Sequence, residues 1–66
     1  MRAIFEKQIT LLNERIEKMK QYLLLKFEEE DWHGVCDAGM DIRDLESERK
    51  VYLDIIACMN IGNNKT

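Results

Sequence analysis

Apolar residues recur at Phe5, Ile9, Leu12, Ile16, Met19 and Leu23, in steps that alternate between four and three. Only a helix returns side chains to one face at that interval, so the first half of the chain is read as a helix with one heptad seam. The second half repeats the pattern at Val35, Ala38, Ile42, Leu45, Arg49, Tyr52, Ile56 and Met59, where Arg49 alone is polar. The 66 residues include no proline and only three glycines, so nothing interrupts either stripe and nothing suggests a sheet.

The expected fold is therefore all-α, one domain over residues 1–66. Helix 1 is placed at about residues 3–29, a turn near 30–31, helix 2 at about 32–60, and a frayed tail at 61–66 after the stop signal Gly62-Asn63-Asn64. Asp31 is the candidate cap of helix 2, because its carboxylate can accept from free backbone N–H groups at the positive end of the helix dipole. The change of seam phase supports a break here. Continuing from Leu23 would bring Lys26 and Glu30 inside, whereas the second seam starts afresh at Val35. An antiparallel hairpin follows, with one continuous helix as the alternative. Facing positions should then sum to about 61, which sets Ile16 against Leu45, Ile9 against Tyr52 and Arg49 against Leu12. Arg49 should lay its stem on Leu12 and reach for a carboxylate at the edge.

A hairpin buries one seam and leaves much else uncovered. Leu11, Tyr22, Leu25, Phe27, Trp32, Leu53 and Ile55 lie off the seams, as do Ile4, Leu24 and Cys36, and together they exceed the apolar patch a soluble monomer usually carries. Homo-oligomerisation into a helical bundle is expected, with a two-fold dimer making a four-helix bundle as the favoured form and trimers or larger rings as alternatives. Trp32 is expected to pack across the turn on Phe27 as part of the core, and Gly39 beside Ala38 to mark a close approach of the two helices.

Charge is uneven. Residues 28–48 hold nine acids (Glu28, Glu29, Glu30, Asp31, Asp37, Asp41, Asp44, Glu46 and Glu48) against Arg43, a net of −8 within a total of −3. Such a segment is a poor match for phosphates, so direct nucleic-acid binding is not expected; a basic protein is the partner it would suit. Asp37, Asp41, Asp44 and Glu48 form the acidic face of that reading, as in an inhibitor that imitates nucleic acid.

His33, Asp37 and Asp41 fall four apart on one helical face, with Cys36 near His33. Imidazole, carboxylate and thiolate are metal donors, but one helix supplies a line of them and not a converging set, so no metal and no cofactor are expected. Nor does Cys36 with His33 come with an orienting group or an oxyanion hole, and no enzyme activity is expected. Cys36 and Cys58 lie 22 positions apart, about 33 Å on a single helix, which leaves them as free thiols in a reducing compartment. No apolar run reaches the roughly 20 residues of a membrane span and no secretory signal is read at the start, so a cytoplasmic protein is expected.

The run D-W-H-x-V-x-D-A-x-x-D-I-R-x-L-E at residues 31–46 resembles a pattern in short helical proteins encoded by phages and prophages. The resemblance implies a small accessory protein of phage origin made in a bacterial cytosol; the two seams and the surplus apolar surface add the expectation that it acts by protein–protein contact, as an accessory or regulatory protein. An acidic inhibitor or anti-defence protein directed at a host enzyme is the second possibility, and a metal-binding helical bundle the third.

Overall fold

The computed structural model describes residues 1–64, with side chains described through residue 60. Two helices account for it: α1 spans Arg2–Glu28 and α2 spans Trp32–Asn64. They lie antiparallel in a bar of 55 × 15 × 11 Å. α2 continues four residues beyond the expected end near 60, so the backbone is still helical at Gly62, Asn63 and Asn64 where a stop was read. A helical glycine costs only about 1 kcal/mol relative to alanine, too little to end a helix by itself. Residues 65–66 of the expected tail lie outside the described residues.

Both seams face inward. Leu12, Ile16 and Ala38 are 3%, 2% and 1% exposed, and every other seam residue is half-buried, Arg49 included. Two pairings fix the register. Arg49 Nη1 donates to Asn13 Oδ1 at 2.8 Å, and Arg2 Nη1 donates to Asn60 Oδ1 at 2.6 Å, so facing positions sum to 62, within one residue of the expected offset. Arg49 does reach an edge carboxylate, Glu46 at 3.6 Å on its own helix. Tyr52 meets Phe5, with ring centroids 5.8 Å apart, one turn beyond the Ile9 that the offset placed opposite it.

The break between the helices is made by backbone geometry. Glu30 adopts φ 58°, in the left-handed region. Its N–H bonds to the Phe27 carbonyl at 3.0 Å and that of Asp31 reaches the Lys26 carbonyl at 2.9 Å, the paired reverse bonds of a Schellman motif. Glycine usually holds the left-handed position; here a glutamate does, and so no glycine announces the turn. Asp31 caps α2 as expected: its Oδ1 accepts from the Gly34 N–H at 3.1 Å.

The close approach expected at Gly39 lies at Gly34 instead. A Cβ on Gly39 would meet nothing within 4 Å, so that residue does not mark a close approach. A Cβ on Gly34 would come within 2.9 Å of Asp31 Oδ2 and 3.0 Å of the Lys26 stem. Gly34 is thus the residue whose smallness matters, because the cap carboxylate and the lysine stem occupy the space beside it. Lys26 does continue the first seam, as the phase argument implied, and escapes burial of its charge by running its stem past Gly34. Its ammonium reaches Glu29 at 3.2 Å and Asp31 at 3.8 Å and lies 5.2 Å from the centre of the Tyr22 ring.

Candidate functional site

Packing on one seam divides the rest of the surface into two broad faces. At about 100° per residue, with the helices running in opposite directions, the residues just to one side of each seam share a face of the bar. The first face carries Asn13, Glu46 and Asn60, together with Leu24, Phe27, Trp32 and Leu53. The two hydrogen bonds that cross between the helices away from the turn among the described residues, Arg2 to Asn60 and Arg49 to Asn13, belong to it and tie its polar edge within the chain. We call it the stitched face.

Among the described residues the opposite, open face has no such stitching. From α1 it presents Ile4, Leu11, Arg15, Lys18, Tyr22 and Leu25, all exposed. From α2 it presents Asp37, Asp41, Asp44 and Glu48, also exposed, and then Val51, Ile55 and Cys58. Val51, Asp54, Ile55, Cys58 and Met59 line an open groove of 490 Å³ along the second half of α2. Among the described residues none of Arg15, Lys18, Asp41, Asp44 or Glu48 makes an ion pair, whereas Arg2, Lys26, Arg49 and Lys50 each do.

The off-seam apolar residues named from sequence therefore do not form one patch. Leu11, Tyr22, Leu25 and Ile55 belong to the open face, Ile55 being half-buried at its edge. Phe27, Trp32 and Leu53 belong to the stitched face. Phe27 and Trp32 make the expected contact across the turn, an edge-on pair with centroids 5.5 Å apart. Yet they remain 56% and 57% exposed, so Trp32 is not the core residue it was read as. The turn is tight enough to bring the rings together and leaves nothing above them to cover the pair.

The acidic segment is also less isolated than its sequence suggests. Helix 1 runs beside it and contributes Arg15, Lys18, Lys20 and Lys26 along the same half of the bar. Lys26 draws in Glu29 and Asp31. The hydrogen bond to Glu29 and then the charge of Glu29 hold its ammonium above the ordinary lysine value. Lys50, on α2, is raised in the same way by its hydrogen bond to Asp54 and the charge of that residue.

His33 Nε2 lies 3.4 Å from Asp37 Oδ2, the i,i+4 contact that the spacing implied, with both side chains largely exposed. Asp41 and Cys36 do not join them: among the described residues no three His, Cys, Asp or Glu side chains are grouped as metal ligands would be. Cys36 and Cys58 both sit on α2, exposed and unbonded. No helix among the described residues is long and apolar enough to cross a membrane. The chain matches no protein-family model, no curated protein and no solved structure.

Proposed function

We propose that this chain is a non-enzymatic assembly protein that acts through protein–protein contact, first of all with its own copies, in the cytosolic phage-accessory setting that its 31–46 segment suggests. The observation that carries this reading is the shape of the hairpin. It exposes 5243 Å² of surface, where a compact monomer of its 7.9 kDa would expose about 4,400 Å². Its radius of gyration is 15.7 Å against about 11 Å for a globular chain of this length. This single layer, two helices wide, buries three apolar side chains among the described residues, Leu12, Ile16 and Ala38. Stable domains pack two layers around a core, and a second copy supplies the missing layer.

Light scattering on the purified protein tests this directly. The mass in solution should be at least twice 7.9 kDa. A cooperatively folded species of monomeric mass would overturn the proposal.

A second reading is favoured by the unpaired carboxylates of Asp41, Asp44 and Glu48. In it the acidic face docks on a basic surface of a host enzyme, and reversing two of those charges should release a captured partner.

A further inference from the structure

Taking self-association as given, we infer that the second copy docks on the open face, turn beside turn, so that helix α1 of each copy lies over helix α2 of the other. The open face is the candidate because Arg15, Lys18, Asp41, Asp44 and Glu48 on it make no ion pair among the described residues, while Arg2, Glu46 and Arg49 along the stitched face are engaged within the chain. It is also large enough. A face of 55 by 15 Å covers about 800 Å², the area that each partner contributes to a standard stable interface.

Orientation follows from banding. Along α1 the open face reads apolar at Ile4 and Leu11, basic at Arg15 and Lys18, and apolar again at Tyr22 and Leu25. Along α2, starting from the turn, it reads acidic from Asp37 to Glu48 and then apolar at Val51, Ile55 and Cys58. Two-fold rotation about the long axis of the bar keeps every residue at its own height, so the register between copies equals the register within one, with facing positions summing to 62. Arg15 and Lys18 then come over positions 47 and 44 of the second copy, inside the band of Asp41, Asp44 and Glu48. Ile4 and Leu11 come over positions 58 and 51, the Val51 to Cys58 groove. Basic meets acidic twice and apolar meets apolar twice, while near the turn Tyr22 and Leu25 come over positions 40 and 37, at the start of the acidic band.

The competing arrangement, with the two-fold axis across the bar, lays α1 on α1 and α2 on α2. It sets Arg15 against its own copy and brings Asp44 and Glu48 of the two chains together, a juxtaposition of like charges that costs several kcal/mol at an interface. Exposed pairs contribute little affinity, but their sign is enough to choose between two otherwise similar packings.

The test is a charge swap read by analytical ultracentrifugation. Arg15→Glu with Lys18→Glu should raise the dissociation constant of the assembly roughly a hundredfold, and Asp44→Lys with Glu48→Lys should do the same. All four side chains are exposed, so the helical circular dichroism of each variant should match that of the parent. Mixing the two variants should restore a heteromeric complex, since each then offers the other its reversed band. Independently, in a Cys36→Ser background, an Ile4→Cys, Cys58→Ser chain mixed with a chain that keeps Cys58 should be joined to it by a short bis-maleimide, a covalent dimer that neither chain can replace with a bridge within itself. An assembly that survives the Arg15 and Lys18 reversal, a mixture that fails to pair, or the lack of the Ile4→Cys crosslink would each overturn the arrangement while leaving self-association standing. A parent protein that is monomeric removes both.

Discussion

Replacing Glu30 by glycine should make the protein more stable, although the change deletes a side chain. Glu30 sits at φ 58° as the left-handed residue of the Schellman turn, and its N–H is bound to the Phe27 carbonyl. An L-residue pays about 1–2 kcal/mol for that conformation because its Cβ crowds the next carbonyl. Glycine does not, but it gives back roughly 0.5–1 kcal/mol through the greater freedom of its unfolded chain. The difference leaves a net gain of roughly 0.5–1 kcal/mol. For a domain of this size that is a rise of about 3–6 °C in Tm. The four consecutive acids at 28–31 complicate the interpretation, since removing any one of them relieves repulsion. Glu30→Gln separates the two effects, because it removes the charge and keeps the Cβ. Thermal melts followed at 222 nm, at one fixed protein concentration, should order the variants with Glu30→Gly above Glu30→Gln, and Glu30→Val below both because a β-branched residue is worst suited to this region. A Glu30→Gly protein that melts no higher than Glu30→Gln would refute the claim that this residue carries strain.

The glycines of α2 should respond in opposite ways to alanine. Gly39→Ala meets open space and should gain about 1 kcal/mol from helix propensity. In Gly34→Ala the new methyl displaces the Asp31 carboxylate that caps the helix, offsetting the same gain by a cap loss of about 1 kcal/mol, so its melting point should lie at or below that of the parent. Ile16→Ala should cost about 2–5 kcal/mol in chemical denaturation, because that side chain is 2% exposed and leaves a cavity on the seam. Leu24→Ala, on an exposed position, should stay within about 0.5 kcal/mol of the parent.

Both seams were legible in the sequence, because burial along a helix imposes a period that composition cannot hide. The cap was legible too, since Asp31 advertises its chemistry. What escaped the sequence is of a different kind. Glu30 looks like any other glutamate among helix formers, and only the backbone shows that it bears the turn. Glycine is unusual within a helix, which points to Gly39 as a close contact, yet the space beside it is open. Which glycine lies against something depends on the side of the helix that the turn delivers to Lys26, and no local pattern encodes that. The same holds for the off-seam residues. Leu11, Tyr22, Leu25 and Ile55 share a face from which Phe27, Trp32 and Leu53 are excluded, a division that exists only once the two helices are known to run side by side in opposite directions. The charge imbalance was visible as a number, but its partial neutralisation by helix 1 is a property of the folded bar.

The shared seam also constrains how this chain can change its length. Inserting a single residue near Glu14 would rotate everything between it and the turn by about 100°, carrying Ile16, Met19 and Leu23 off the seam while α2 stayed in place. Lengthening the bar without losing its packing takes seven residues in each helix, matched across the hairpin, and extends it by about 10 Å. Variation in size within such a scaffold is quantised. Relatives of this chain should differ by paired heptads or at the open end, and single-residue insertions or deletions should be confined to the last turns, where no facing residue has to keep step.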